Sequence, residues 1–327
     1  MYGWAVDNVE GYQIVLSNGT IVNADAENYS DLYKALRGGV ANFGIVTSFK
    51  LTTIPAQSWW GGGLSLDLAH QAEGIKRFFE YGNDNVANKK MSIIVAFNHF
   101  PGHGWMIGAD LMFLEPQRPV DEPIFRDILK IPALADSTKI ASQTAHIAEM
   151  AKTFPDNVHN CYWTFCTKPD KRIVEFYGKT WMEEAARLLD IAGIDGNLIA
   201  DCQFITQNVV DAMSRRGGNA LGLEGKGPFL MMLLQPNWTD GSQSLRVYRA
   251  VARTVAKVLA EAARLDLSHD YVYCNYASPW QDPYSSYGAE AKEFLRQTAS
   301  KYDFQGMFQH QRKSGFSLSG ALRTELS

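Results

Sequence analysis

The sequence predicts an α+β fold, a large antiparallel sheet backed by helices. Three features point there. Asn18-Gly19 lies between two β-rich runs, Tyr12–Leu16 and Thr20–Asn23; this is the strongest short-range hairpin signal, because both turn residues tolerate positive φ. Met91–Phe97 and Trp105–Phe113 flank a turn at Pro101-Gly102, and in the second run Trp105, Ile107, Ala109, Leu111 and Phe113 share one face. Helical patterns, the longest over Ser242 to Arg264, stand among the strands.

The elements follow in order. After the hairpin, a short helix over Asp31–Leu36 ends near Gly38-Gly39, and a glycine-rich loop leads into a strand over Ile45–Ile54 that Pro55 stops. Residues 56–265 read as a second unit, distinct from 1–55 and 266–327. It opens with a helix inside Leu66–Tyr81, where Ile75, Phe78 and Phe79 have helical spacing. Helices are predicted at 122–130, 139–152 and 171–191, and strands at 160–167, 199–210 and 228–235. In the long helix Arg246, Arg249, Arg253 and Lys257 form one basic stripe. It reads as a solvated face, with an anion-binding stripe as the alternative. Tyr271–Ala277 reads as a strand, and a polar loop, a helix at 288–301 and a tail follow.

Composition excludes several classes. Hydrophobic residues make up 46% of the 327 and charged residues 20%, enough to bury a sizeable core and too apolar for a disordered chain. With a net charge of -4 and no Lys/Arg run, the sequence carries no footprint for nucleic acid. No apolar run reaches membrane-spanning length, Pro228–Leu234 being only strand-sized. Met1–Asp7 has neither the basic start nor the apolar stretch of a secretory leader. Sequons at Asn18, Asn28 and Asn237 would matter only in a secreted protein, so the compartment stays open. Cys161, Cys166, Cys202 and Cys274 form no C-x-x-C pair and are expected to be free core thiols. His99 and His103 have the spacing of helix-borne zinc ligands, but Pro101-Gly102 puts a turn between them, so no metal is expected.

The first candidate for chemistry is the loop Gly38-Gly39-Val40-Ala41-Asn42-Phe43-Gly44. Its glycines let backbone approach a ligand and expose N–H groups. The order helix, loop, strand is the reverse of a nucleotidase phosphate loop, and a helix C-cap with a tight turn explains the glycines as well.

This stretch carries a resemblance. Tyr2–Val9, the Asn18-Gly19 hairpin and Leu36–Phe49 closely resemble part of the flavin oxidases of the vanillyl-alcohol-oxidase superfamily, above all the berberine-bridge-enzyme-like branch. The far end agrees: Cys274–Ala277, Gln281–Pro283, Ser286–Gly288, Lys301–Gln309 and Gly315–Leu318 resemble that family's C-terminal return to the flavin domain, most of all in fungal members. The resemblance implies that 1–55 is the second half of an FAD-binding domain, 56–265 the substrate domain and 266–327 the return. It places Asp7, Asn8, Asn42, Phe43, Gly44, Ile45 and Val46 along the adenosine side of FAD; Asn275 is either a donor that orients the ring or a strand-end amide. Tyr276 stands in an Asn-Tyr context where related oligosaccharide oxidases are thought to use a tyrosine as base. The other reading of Tyr276 is a packed tyrosine with its hydroxyl satisfied. Gln203, Gln207, Gln235 and Asn237, polar within apolar strands, either line a substrate cavity or face solvent.

Two departures stand out. The family's upstream glycine-rich segment, which cradles the pyrophosphate and often bears the residue bonded to flavin, has no counterpart in this sequence. Phe304 replaces the proline of the family's Tyr-Asp-Pro. Flavin binding by this chain alone is therefore expected to be weak, and an uncovered strand edge is expected to invite self-association or a companion chain. The leading expectation is an FAD-linked oxidoreductase that passes hydride from a small, secondary-metabolite substrate to flavin. A cofactor-free cyclase on the same fold and a non-catalytic remnant are the alternatives.

Overall fold

In the computed structural model, which describes residues 2–84, 89–312 and 314–323, the chain divides into two units. The first comprises the described residues of Met1–Ile54, Gln207–Gly227 and Asp270–Glu325; the second comprises those of Pro55–Thr206 and Pro228–His269. Gln207–Gly227, inside the expected substrate domain, thus packs with the first unit.

The hairpin forms as predicted: β1 (Val9–Val15) pairs antiparallel with β2 (Ile21–Asp25), and Gly19 takes the positive φ of the turn. In α1 (Ser30–Gly39) helical geometry stops at Arg37 and Gly38, where the latter has φ 142°. The strand β3 (Ile45–Leu51) then returns along β1 to give the order β2-β1-β3. Leu32, Tyr33 and Leu36 of α1 are buried, as are Tyr12 and Ile14 of β1, and the Tyr33 hydroxyl donates to the Val9 carbonyl at 2.7 Å. By contrast Ile45, Phe49 and Leu51 on edge strand β3 are each more than half exposed.

The second unit runs through β4 (Trp59–Leu66), α2 (Gln71–Asn83), β5 (Met91–Phe100), β6 (Gly104–Phe113), α3 (Pro123–Ile128), β7 (Ala133–Asp136), β8 (Lys139–Ala141), α4 (Gln143–Ala151), β9 (His159–Asn160), β10 (Trp163–Thr167), α5 (Lys171–Ala186) and β11 (Leu198–Ile205). After α6 (Gln207–Asp211), a part of the first unit, it resumes with β12 (Phe229–Leu234), β13 (Asn237–Trp238), α7 (Ser244–Arg264) and β14 (Ser268–His269). The chain ends in the first unit with α8 (Pro283–Ser286), α9 (Ala289–Tyr302) and α10 (Met307–His310).

Nine strands form one antiparallel sheet, in the order β14-β10-β12-β11-β5-β6-β4-β7 with β8 also on β4. Register decides its two faces. Leu66, Ile107, Phe97, Ala200 and Leu234 stand side by side, as do Leu64, Ala109, Val95, Cys202 and Met232. All are buried in one core with Ile75 and Phe78 of α2, Tyr177 and Trp181 of α5, and Val251 and Val258 of α7. The helices sit close: a Cβ at Gly178 of α5 would lie 2.3 Å from the Phe97 ring, so only glycine fits there.

Several expectations are corrected. The predicted 199–210 strand stops at Ile205; Gln207 opens α6 instead and its amide donates to Asp211 at 2.7 Å, a helical (i, i+4) pair. Residues 139–141 are β8 rather than helix, because the Ser142 hydroxyl caps α4 by accepting from the Ala145 amide. The 171–191 helix ends at Ala186. Tyr271–Ala277 is no strand: its alternate aromatics pack on one another and on Trp4, Tyr273 against Tyr276 at 4.9 Å and against Trp4 at 5.2 Å, while Cys274–Tyr276 coils into a 3-10 turn.

The basic stripe is not simply a solvated face. Arg253 and Lys257 donate to Glu184 of α5 at 2.9 and 2.7 Å, and Arg187 approaches the same carboxylate at 3.2 Å. Burial alone would raise the Glu184 carboxyl; hydrogen bonds from Lys257 and Arg253 outweigh it and hold the group below its ordinary range. All four cysteines are free, with Cys161, Cys166 and Cys202 buried and Cys274 partly so. Among the described residues no helix is long and apolar enough to cross a membrane.

Candidate functional site

In the first unit the Gly38–Gly44 loop is tied down from both sides. Asn42 is fully buried; its amide donates to the Gly39 carbonyl and to the Tyr284 hydroxyl, both at 2.8 Å. Its side-chain carbonyl accepts from Gln309 at 3.1 Å and from Arg312 at 3.2 Å. One asparagine thus fastens the loop to three places in the C-terminal return, the two stretches that the resemblance singled out from opposite ends of the sequence. Phe43 is fully buried, and a Cβ at Gly44 would lie 2.5 Å from the Val15 carbonyl, so glycine lets the loop lie flat on β1. Val40 takes φ 53°, ψ −129°, a costly backbone for a β-branched residue, and is half exposed. Such strain is held by its surroundings, here by the bonds of Asn42.

Beside this loop opens a pocket of about 780 Å³. The loop gives it Val40, Ala41, Gly44, Ile45 and Val46; Val6 and Tyr12 line it too, and Met307, Phe308, Gln311 and Arg312 close one side. Three of the predicted cofactor residues, Gly44, Ile45 and Val46, therefore converge on one apolar space. Asn42 and Phe43 support it from beneath. Asp7 and Asn8 have other work. Both Asp7 oxygens are engaged, by Asn219 at 2.8 Å and by the Trp4 amide at 3.0 Å, and Arg37 lies 3.6 Å away. Burial raises the Asp7 carboxyl, against the hydrogen bonds of Asn219 and Trp4 and the charge of Arg37. The Asn8 amide donates to the Tyr2 and Trp4 carbonyls, both at 2.9 Å.

Tyr276 lies on the 3-10 turn, partly buried, edge-on to Tyr273. Exposed Asn275 donates its amide to the Tyr273 hydroxyl at 2.8 Å. Asn275 thus fixes the ring that positions Tyr276.

In the second unit the sheet face away from the core holds the polar residues. One rung across it is Gly63, Asp110, Ile94, Gln203 and Met231; the next is Ser65, Gly108, Ala96, Asp201 and Leu233; the third joins Met106, Asn98 and Ile199. The Gln235 amide donates to Asp201 at 2.6 Å. The structure thus brings Gln203 and Gln235 to one face. It does not bring the other two there: Gln207 belongs to the first unit, and buried Asn237 uses its side chain to accept from the Asn197 amide at 2.9 Å.

Asp201, Asp110 and Asn98 were missed in the sequence. Burial, with the charge of Asp110 adding to it, pushes the Asp201 carboxyl up to about 8, and burial raises Asp110 as well. Below that value Asp201 is a neutral acid, able to donate a hydrogen bond. Asn98 carries a buried side-chain oxygen with no protein donor, and its amide lies over Gly108, 2.6 Å from where a Cβ would stand. A signal existed: Asp201 sits two residues before Gln203 in a predicted strand and so shares its face.

Comparison with known proteins bears on what these surfaces serve. No protein-family model matches the chain. The 6-hydroxy-D-nicotine oxidase of Arthrobacter nicotinovorans superposes with a TM-score of 0.73 over 100% of this chain and 68% of its own, at 16% identity. BBE-like 1 of Physcomitrella patens superposes with a TM-score of 0.71 over 98% of this chain and 66% of its own, at 14% identity. The chain has the fold of the berberine-bridge-enzyme-like flavin oxidases. In sequence the chain is similar to fungal proteins: the FAD-dependent monooxygenase FUP4 of Fusarium proliferatum is 30% identical over 318 residues, 94% of this chain and 61% of its own. The chain spans about three-fifths of the length of such curated relatives.

Proposed function

We propose that the chain works in an FAD-linked oxidoreductase of oxidase type, which oxidises a small secondary-metabolite substrate by hydride transfer to flavin. The observation that carries this reading is the 780 Å³ pocket in the first unit, lined by the loop residues that resemble the adenosine side of an FAD site. Its fit is to a flat, largely apolar group. Gly44, Ile45, Val46 and Ala41 would hold the adenosine end by contact, with the Gln311 amide at the rim. For a pyrophosphate the lining offers one cation, Arg312, already bonded to Asn42 and to the Phe316 carbonyl. These residues therefore account for the nucleoside and not for its phosphates.

A bound flavin would supply the hydride-accepting ring. The chain's own contribution is to orient and to manage protons. Tyr276 would take the substrate proton at its hydroxyl, its ring fixed by Tyr273 and, through that, by Asn275. In the second unit, the sheet face away from the core, with partly exposed Gln203 and Gln235, is the candidate substrate surface. Self-association or a companion chain along β3 is a proposal of the same kind, supported by the exposed Ile45, Phe49 and Leu51 on an edge strand.

The test is binding. FAD titrated into the chain should lose fluorescence saturably, and adenosine should compete. Ala41→Trp, which fills the pocket from a partly exposed position, should weaken FAD binding by about tenfold or more without loss of fold. Equal affinity in the folded variant would place the cofactor elsewhere.

A further inference from the structure

We propose that Asp201, held by Gln235, is a substrate-contacting acid on the half-buried face of the nine-stranded sheet away from its helical core, where it and Asn98 together take a neutral, flat ligand bearing a carbonyl beside a hydroxyl. The proposal rests on the reading of this face as the substrate side, but not on flavin binding.

Geometry supports it first. Asp201 stands between Ala96 and Leu233 on a rung that continues into Gly108 and Ser65, and the rung beside it ends in Gly63. The residues toward β6 and β4 are thus small: Ala96 beside the carboxyl, then Gly108, with Gly63 ending the neighbouring rung. The Gln235 amide donates to one Asp201 oxygen, Oδ2, at 2.6 Å, which fixes the group and leaves Oδ1 for a partner. Asn98, on the neighbouring rung, lays its amide across Gly108, and its side-chain oxygen is buried without a donor. An acceptor orphaned in this way costs about 1–3 kcal/mol unless something donates to it. A ligand hydroxyl would supply that donor.

Chemistry sets the ligand's charge. Among the described residues, the ionisable groups whose charges bear on Asp201 are Asp110 on β6, Cys202 on its own strand and Tyr177 on α5; none of these is a cation. With no positive charge among them, the face disfavours an anion. A protonated Asp201 would donate to the ligand carbonyl while Asn98 accepts from the hydroxyl. The pair thus reads both halves of a hydroxy-carbonyl unit, and it rejects a carboxylate of the same shape.

The experiment uses the whole chain without flavin, so that its failure is distinct from failure of the FAD site. The probes are ortho-hydroxyacetophenone, which is neutral, and salicylate, its anionic counterpart. Near neutral pH the acetophenone should bind about tenfold or more tightly than salicylate; Asp201→Ala, which cannot donate, should weaken the acetophenone about tenfold, and in wild type its affinity should fall as pH passes about 8 while salicylate, repelled by the new carboxylate, gains nothing. Infrared difference spectra should show a protonated carboxyl that titrates near 8 and is missing from Asp201→Asn. Asn98→Ala should weaken the acetophenone and leave that infrared band in place. Equal binding of the two probes, no binding of either, or no protonated carboxyl near neutrality would overturn the proposal.

Discussion

Arg37→Ala should cost the first unit about 4 kcal/mol, enough to leave it largely unfolded. Arg37 is fully buried in a bed of carbonyls. Its guanidinium donates to Val6 and Arg216 at 2.9 Å, to Arg215 at 3.2 Å and also to Gly218, and it pairs with the equally buried Asp7. Alanine would take a donor from each of these carbonyls, although Val6 and Arg215 keep a backbone partner, and would strand a carboxylate that has no water to turn to. Lysine would not rescue it, because one ammonium with three donors cannot reproduce a planar fork serving carbonyls from separate segments. Hydrogen exchange resolved by peptide should show the loss in residues 2–54 and 207–227 while the second unit keeps its protection. A loss below about 1 kcal/mol would mean that water reaches this cluster.

Glu184→Gln should cost the second unit less, about 2 kcal/mol, although Glu184 is as buried as Arg37. The difference lies in what is left behind. Arg253 and Lys257 are each 47% exposed and Arg187 64%, so they can swing into water when the carboxylate goes. What is lost is the charge-assisted clamp between α5 and α7, and with it part of the packing around Trp181 and Val258. Urea unfolding of the variant should show the smaller loss, and added salt should narrow the gap to wild type. A cost equal to that of Arg37→Ala would show that exposure of the partners does not matter here.

The parts of the fold that could be read from the sequence were those governed by local rules. Asn18-Gly19 dictates its hairpin whatever surrounds it, and the alternation of Trp105, Ile107 and Ala109 needs only one buried face. What could not be read depended on long-range partners. Tyr271–Ala277 has strand composition but spends its aromatics on Trp4, far away in sequence. The stripe at Arg253 and Lys257 looks solvated until α5 delivers Glu184. Polar residues within 199–210 looked equivalent, yet the chain leaves the sheet after Ile205, and this separates Gln203 from Gln207. Of the candidate site, the Gly38–Gly44 loop and its C-terminal partners came through a resemblance, and Asn42 shows why the two stretches go together. Asp201 went unnoticed because a lone aspartate in a strand carries no motif. Its significance comes from the register that sets it beside Ala96 and Gly108 and from the amide that Gln235 brings from the next strand.

The most direct test of the central claim is photolabelling with an azido-adenine analogue of FAD, followed by mapping of the labelled peptide. Label on residues 5–12, 36–51 or 307–312, suppressed by excess FAD, is the predicted result, since those stretches line the pocket. Label confined to other segments, or label that FAD does not suppress, would contradict the reading of this chain as part of an FAD-linked oxidoreductase.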